Sequence, residues 1–278
     1  MGLSKFEGIC KGNEKDILYD VTYSKEYKGK GIPIIFIHGF KGYKDWGAFN
    51  QVAPEFAKSG FFFIKFNFSF NGTNKNSPLD FVDLNAFGNN NFSRELSDLD
   101  SIINLLNRKF TDLIDLEELT LIAHSRGGAT ALIKAVEDDR IKKVITWASV
   151  GTIKGRMPQL DMIEFERTNV IYIPNSRTNQ NMPIYYQFVE DYYINEKRYD
   201  LINRCENLKK PCLIIHGESD ETVPLMEAKQ LHKAVKGSKL IIIEKADHSF
   251  GAYEPWTTDS LPITLKRVIS ESMKFLNS

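Results

Sequence analysis

Cysteine is scarce in this sequence. The 278 residues contain three, Cys10, Cys205 and Cys212. An odd count without a C-x-x-C pair disfavours both a disulfide framework and a cysteine-based zinc site. Nowhere do 18 apolar residues run together, so no membrane span is expected. Because the opening residues also lack the apolar stretch of a signal peptide, we expect a soluble, cytoplasmic protein.

An excess of charge of either sign is also lacking. The chain carries 36 Lys and Arg residues against 36 Asp and Glu residues, so its formal net charge is zero. A balanced charge gives no general attraction to nucleic acid or to an anionic membrane surface, and we expect neither as a partner. The motifs G-x-x-x-x-G-K-S/T, G-x-G-x-x-G and H-E-x-x-H are absent, which disfavours nucleotide and metal enzymes. We therefore expect no cofactor and no metal.

What the sequence does contain is an alternation of short apolar runs and amphipathic stretches. Continuous apolar runs are typical of strands buried on both faces of a parallel sheet. The alternation predicts one α/β domain over residues 1–278, with a mostly parallel central sheet and helices on both faces. Residues 16–24 alternate in hydrophobicity and are compatible with antiparallel edge strands. The predicted strands are 34–37, 61–66, 119–123, 143–148, 212–215 and 240–243, and the predicted helices 93–110, 127–136, 224–235 and 261–276.

The strongest local motif places Ser125 between a predicted strand and a predicted helix. A nucleophile at such a turn has a strained backbone, so its neighbours two positions away must be small. Ala123 and Gly127 are those neighbours. The helix that follows directs its positive end towards Ser125 and favours developing negative charge there. Taken alone, the motif also fits a plain turn with a capping serine.

A nucleophilic serine needs a base and an acid. Of the five histidines, His248 follows the last predicted strand, at the carboxyl end of the sheet where open α/β folds bind ligands. Asp220 follows the fifth predicted strand and is the preferred acid over its rivals Glu221, Glu244 and Asp247. The chain order Ser125, Asp220, His248 is that of the α/β-hydrolase fold, so we predict a catalytic triad.

Two backbone N–H groups are candidates for an oxyanion hole. One belongs to Arg126, directly after the nucleophile, and the other to Phe40, in the loop after the first central strand. The side chain at position 126 is unusual for this motif. It either binds a substrate carboxylate or pairs with a nearby acid, and we favour the second.

Four stretches carry a family resemblance. They are Ile37-His38-Gly39-Phe40, Ala123-His124-Ser125-Arg126-Gly127-Gly128, His216-Gly217-Glu218-Ser219-Asp220 with Val223-Pro224, and Ala246-Asp247-His248. With these, residues 32–276 resemble the α/β hydrolases of the serine esterase and prolyl-peptidase-like superfamily. They are most similar to small bacterial cinnamoyl and feruloyl esterases. The chain departs from the family pattern at Ala123, at Arg126 and in residues 67–72.

Two stretches interrupt the strand–helix rhythm. Residues 67–91 are rich in Asn, Gly and Ser and predict a long loop. Residues 152–207 are too long for a simple crossover and predict an insertion. The resemblance implies that this insertion is a cap over the acyl pocket. Its many aromatic side chains either line that pocket or attach the cap to the sheet, and Tyr172 and Tyr185 are our candidate substrate contacts.

The leading functional hypothesis is a serine hydrolase that cleaves carboxylic esters with small or aryl-acyl, feruloyl-like groups. The expected binding partner of the protein is then its substrate, a small-molecule ester. Two alternatives stay open: a peptidase or amidase of the same fold, and a non-catalytic binding protein that retains the fold. The sequence leaves the oligomeric state undecided, a homodimer included.

Overall fold

The computed structural model describes residues 2–26, 29–157 and 162–278. Residues 158–161, which belong to the predicted insertion, lie outside the described part of the chain. The six predicted strands and four predicted helices are all present, each with bounds within two residues of the prediction. This agreement confirms the α/β architecture.

A central eight-stranded sheet spans the described residues. Its first two strands are antiparallel to their neighbours, and the other six run parallel. In spatial order the strands are β1 (Leu3–Lys11), β2 (Asp16–Ser24), β4 (Phe61–Phe66), β3 (Ile32–Ile37), β5 (Thr120–His124), β6 (Lys143–Trp147), β9 (Cys212–Gly217) and β10 (Lys239–Ile243).

Both faces of the sheet are covered because successive side chains of each strand point to opposite faces. In β3, Ile35 and Ile37 join one hydrophobic cluster, while Ile34 and Phe36 join another. The first cluster packs against α3 (Phe92–Lys109), α4 (Arg126–Glu137) and α9 (Leu225–Ala234). The second packs against α1 (Val52–Lys58) and α10 (Ile263–Leu276). A continuous apolar run thus fills two cores at once.

The segment between β6 and β9, which we call the cap, lies outside the central sheet. It contains α5 (Met162–Thr168), a hairpin of β7 (Val170–Asn175) and β8 (Gln180–Tyr185), and the short helices α6 (Gln187–Ile194), α7 (Glu196–Tyr199) and α8 (Leu201–Cys205). A third hydrophobic cluster joins this cap to the body of the protein. There the cap residues Phe165, Phe188, Tyr192 and Tyr199 pack with residues of α3 and α4 such as Phe92 and Ile133. Most of the cap's aromatic rings therefore attach it to the domain.

The stretch 67–91 is more ordered than the prediction of a long loop. It contains the helix α2 (Leu84–Gly88), capped by the Asp83 carboxylate, and its Phe81 is buried. Its asparagine side chains bind backbone groups of the loop after β3: Asn67 Oδ1 accepts from Lys44 N at 2.7 Å, and Asn71 Nδ2 donates to Gly42 O at 3.3 Å. The sequence composition indicated a loop because these residues satisfy backbone groups outside regular elements.

The sequence analysis did not predict the elements β1 and α1, the cap hairpin β7–β8 or the cap helices α5 to α8. The described helices include none with the length and hydropathy needed to cross a bilayer.

Candidate active site

Ser125 occupies a sharp turn between β5 and α4. Its backbone has φ 56° and ψ −125°, a positive φ that residues other than glycine rarely adopt. The turn is possible because glycines let neighbouring chain segments approach. A Cβ on Gly127 would lie 2.5 Å from the His38 carbonyl oxygen, and one on Gly39 would lie 2.8 Å from the Ser125 Cβ. The local sequence thus places a serine hydroxyl at the carboxyl edge of the sheet, beside the loop after β3.

Ser125, His248 and Asp220 form a continuous hydrogen-bonded chain. The Ser125 Oγ lies 2.9 Å from His248 Nε2, and His248 Nδ1 lies 2.8 Å from Asp220 Oδ2. Since an ionised carboxylate can only accept, Nδ1 carries the proton and Nε2 is free to accept from the serine. The structure brings together three residues that are 95 and 28 positions apart along the chain.

Asp220 is held as an anion by several donors. Its Oδ1 accepts the backbone N–H groups of Thr222 at 2.9 Å and Val223 at 2.8 Å. Burial alone would raise the pKa of this carboxyl. The hydrogen bonds from His216, His248 and the Val223 N–H outweigh that effect and hold the pKa of Asp220 well below its usual range. The site therefore has a stably ionised carboxylate at its base.

His216 is a site residue that the sequence analysis did not assign. It is fully buried at the end of β9, and its Nε2 lies 2.8 Å from the Val223 carbonyl oxygen and 3.3 Å from Asp220 Oδ2. Because both neighbours are acceptors, Nε2 must carry a proton. Its Nδ1 has no hydrogen-bond partner among the described residues. The four-residue spacing between His216 and Asp220 was the available sequence signal.

The rival acid Asp247 has a different role. Its Oδ1 accepts the N–H groups of Ser249 at 3.1 Å and Gly251 at 2.8 Å, which shapes the turn that carries His248. His124 supports the same turn: its Nε2 lies 2.9 Å from the His248 carbonyl oxygen. Burial, with a contribution from His248, lowers the pKa of His124 to about 3, so this ring is a neutral donor.

The two predicted oxyanion donors flank the serine. Arg126 is the first residue of α4, so its N–H has no acceptor within the helix. Within the described residues, the Phe40 N–H has no hydrogen-bond partner either. His38 fixes the loop that carries Phe40: its Nδ1 lies 2.9 Å from Gly39 O, and its Nε2 accepts from Phe68 N at 3.2 Å. Burial lowers the pKa of His38 to about 4, which keeps the ring neutral.

The Arg126 side chain pairs with an acid, as favoured from the sequence. Its Nη2 lies 3.0 Å from Glu95 Oε1, and both side chains are largely buried. The guanidinium also lies over the rings of Phe92 at 4.4 Å and Phe188 at 5.0 Å. The charge at position 126 is thus already compensated inside the protein.

Two cavities meet at Ser125. The larger has a volume of about 320 Å³, and its wall includes His248, Lys41, Arg177 and Glu254. The smaller has a volume of about 190 Å³, and Ser125 and Phe40 line both. Besides these two, the wall of the smaller cavity consists mostly of apolar side chains, with two arginines and a threonine: Phe92, Val150, Ile173, Ile184, Phe188 and Val223, with Arg126, Arg156 and Thr222.

The predicted contacts Tyr172 and Tyr185 do not line either cavity. Tyr172 is 63% exposed, and Tyr185 donates its hydroxyl proton to Asn85 Oδ1 at 3.2 Å. Both lie on the hairpin face opposite to Ile173 and Ile184, which do line the smaller cavity. Because strand side chains alternate, a one-residue offset decides which ones face the site.

Within residues 2–26, 29–157 and 162–278, no cluster of three or more histidine, cysteine or carboxylate side chains is arranged to hold a metal ion.

Comparison with known proteins identifies the family. Residues 32–180, more than half of the chain, match the family model of the alpha/beta hydrolase fold. The chain belongs to the α/β hydrolase family. It is 29% identical over 174 residues to the human protein "Serine hydrolase BPHL". That match covers 55% of this chain and 58% of the human protein, so the chain spans little more than half of that relative.

Solved structures of other α/β proteins share the whole fold. Est1E from Butyrivibrio proteoclasticus is 17% identical with a TM-score of 0.69, and the match covers 98% of each chain. A second structure of Est1E has ferulic acid bound, with 18% identity, a TM-score of 0.71 and coverage of 96% of this chain and 98% of that one. Alpha/beta hydrolase domain-containing protein 10 from mouse is 19% identical, with a TM-score of 0.68 and 98% coverage of both chains. At these identities the likeness concerns the fold alone.

Proposed function

We propose that this α/β hydrolase is a serine hydrolase that cleaves carboxylic esters with small or aryl-acyl groups. The observation that carries the proposal is the hydrogen-bonded chain from Ser125 through His248 to Asp220 at the junction of two cavities. A buried, hydrogen-bonded carboxylate, an oriented imidazole and a hydroxyl at a strained turn are the parts that nucleophilic acyl transfer needs.

The proposed reaction has two halves. His248 Nε2 accepts the Ser125 proton while Oγ attacks the ester carbonyl carbon, and the N–H groups of Phe40 and Arg126 bind the resulting oxyanion. The protonated His248 then gives its proton to the departing alcohol oxygen, which leaves an acyl group on Ser125. Water, deprotonated by His248, releases the acid in the second half and restores the free serine.

The smaller cavity supports an apolar acyl group. Its wall is mostly aliphatic and aromatic, and burial of such a group removes apolar surface from water. Est1E, whose fold this chain shares, has been solved with ferulic acid bound, so aryl-acyl esters are rational probes. A feruloyl-like or short acyl group is therefore our proposed substrate class.

The test is hydrolysis of p-nitrophenyl acetate, butyrate and octanoate and of methyl ferulate by the wild type and by Ser125→Ala. We expect turnover that disappears in the variant, and labelling of Ser125 by a fluorophosphonate. Folded wild type that neither hydrolyses any ester nor becomes labelled would contradict the proposal and favour a binding protein. Labelling without ester turnover would instead favour an amidase.

A further inference from the structure

The two cavities at Ser125 can be assigned to the two halves of an ester. The departing alcohol oxygen must receive its proton from His248 Nε2, so the alcohol half has to lie on the His248 side. His248 lines the larger cavity, whereas it does not line the smaller one. The larger cavity is thus the site of the alcohol half, and the smaller, apolar cavity receives the acyl half.

Two cationic side chains line the larger cavity. Lys41 lies in the loop after β3, and Arg177 lies in the turn of the cap hairpin between β7 and β8. Glu254 is the one carboxylate among the residues of this wall, and it accepts a hydrogen bond from the Gly47 N–H. The wall therefore has more positive than negative charge.

These two cations lack carboxylate partners within the described residues. The Arg177 guanidinium lies over the rings of Tyr43 at 5.5 Å and Phe81 at 5.4 Å, and its buried Nη2 has no hydrogen-bond partner there. Lys41 Nζ donates to the Pro174 carbonyl oxygen at 3.3 Å. Aromatic faces and a carbonyl oxygen orient these groups without neutralising them.

The smaller cavity provides an internal comparison. Both arginines in its wall are paired with acids: Arg126 with Glu95 at 3.0 Å, and Arg156 with Glu227. Arg126 also has two buried nitrogens, Nε and Nη2, without a hydrogen bond within the described residues, so the two walls differ in the carboxylates beside their cations. The same protein thus compensates the cations beside the acyl half and leaves those beside the alcohol half without a carboxylate partner. A guanidinium without a carboxylate partner in a cavity wall can bind an anion.

We propose that the alcohol half of the substrate carries a carboxylate, which Arg177 binds with support from Lys41. The inference rests on the proposed esterase function and adds the chemistry of the leaving group to it. A planar guanidinium can donate two parallel hydrogen bonds to a carboxylate, a geometry that a neutral alcohol cannot reproduce.

The kinetic test uses a matched pair of acetyl esters, 4-acetoxyphenylacetate and 4-acetoxyphenylacetamide. Both release acetate, and the methylene group insulates the leaving phenol from the change in charge. We expect wild type to prefer the anionic ester by about tenfold in kcat/KM, the effect of one charge-assisted hydrogen bond. This preference should fall to about twofold or less in Arg177→Gln and Arg177→Met.

The matched control is Arg167→Gln. It removes one positive charge from the same cap at an exposed arginine that pairs with Glu164, outside both cavities. We expect this variant to keep the tenfold preference of the wild type. If Arg167→Gln lowers the preference as much as Arg177→Gln does, the effect is a general loss of cap charge and the proposed site is wrong.

Binding of the product-like anion tests the site without turnover. In the Ser125→Ala background, 4-hydroxyphenylacetate should bind more tightly than 4-hydroxyphenylacetamide, and Arg177→Gln should remove the difference, as measured by calorimetry. Equal affinities in the presence of Arg177 would overturn the inference. Because this measurement needs no catalysis, it separates the two proposals: ester turnover without anion preference overturns the carboxylate site alone, whereas absent turnover and labelling contradict the esterase function.

Discussion

The Oδ2 oxygen of Asp220 that faces His248 Nδ1 at 2.8 Å also lies 3.3 Å from His216 Nε2. One carboxylate oxygen thus stands between a partly exposed histidine and a fully buried one. His216 is tied to the same loop a second time through the Val223 carbonyl oxygen at 2.8 Å. The acid of the proposed triad is therefore positioned from the interior of the protein by a residue that lines neither cavity.

Replacement of His216 by a residue without a donor should lower activity but not abolish it. We expect His216→Phe to lower kcat about tenfold with little change in KM, because Asp220 loses a hydrogen bond to its charged form. His216→Gln retains an N–H donor and should recover part of the loss. Steady-state kinetics on p-nitrophenyl acetate measures both variants.

The control for this comparison is His232→Gln, on the exposed side of α9, where His232 contacts Ser238. It should have the kcat of the wild type. A His216→Gln variant as impaired as His216→Phe would show that packing, and not the donor, determines the effect.

Substitution of the triad acid should have a much larger effect. Asp220→Asn retains the shape of the side chain but no longer fixes the His248 tautomer with Nδ1 protonated, so we expect kcat to fall by about 10⁴, as at the equivalent position of serine proteases. Pre-steady-state kinetics should locate the loss in acylation. A variant within tenfold of the wild type would contradict the role of Asp220 in the proposed triad.

The low pKa of Asp220 also predicts a pH dependence of stability. Burial opposes its ionisation, but the hydrogen bonds from His216, His248 and Val223 prevail and lower its folded-state pKa. This contribution to stability is complete above the unfolded-state value of about 4 and is lost as the pH falls below it. Thermal unfolding should show that the difference in Tm between the wild type and Asp220→Asn decreases from pH 6 to pH 3. A Tm difference that does not change with pH would contradict the lowered pKa of Asp220.

Asp98 should contribute a pH dependence of stability with the opposite sign. Burial raises its pKa to about 7, although Ser69 donates from its backbone N–H at 2.7 Å and from its hydroxyl at 2.9 Å. A carboxyl with a raised folded-state pKa favours folding below its unfolded-state pKa, near 4, and this contribution is lost as the pH rises towards 7. The Tm of Asp98→Asn relative to the wild type should thus be higher at pH 8 than at pH 4. A relative Tm that is higher at pH 4 than at pH 8 would show that the two Ser69 donors outweigh burial.

The tight contact between Gly128 and Ser149 predicts that a larger side chain at position 128 lowers stability. A Cβ on Gly128 would lie 2.1 Å from the Ser149 Oγ and 2.5 Å from the Ser149 Cβ. We expect Gly128→Ala to lower the free energy of unfolding by about 1–3 kcal/mol through overpacking. Ser149→Gly removes both atoms, so the double variant should be more stable than the sum of the two single changes predicts. Additive losses in denaturant unfolding would show that this contact is not the cause.

The central sheet and the proposed triad could be predicted because both depend on local patterns. Apolar runs mark buried strands, and Ser125, Asp220 and His248 each follow such a strand in a fixed chain order. The cap could not be predicted in the same detail. Its hairpin was missed, and Tyr172 and Tyr185 were chosen for their ring chemistry although the isoleucines beside them face the cavity. Which side of a short hairpin meets the body depends on tertiary packing, which composition does not encode.

Arg177 and His216 were missed for a related reason. The environment of Arg177, a guanidinium without a carboxylate partner in the wall of the larger cavity, exists only in three dimensions and leaves no motif in the sequence. His216 precedes Asp220 by four residues, but this spacing alone does not show that its Nε2 faces the carboxylate.

The cap hairpin contributes to both cavities, with Ile173 and Ile184 in the smaller and Arg177 in the larger. Six residue pairs hold its two strands in register, so an insertion or deletion within it displaces both walls together. Under the proposed esterase function, we therefore expect acyl and alcohol preference to be linked. A homologue that changes the length of this hairpin should change its specificity for both halves of the ester at once, whereas point substitutions at its tip or its apolar face alter one half at a time.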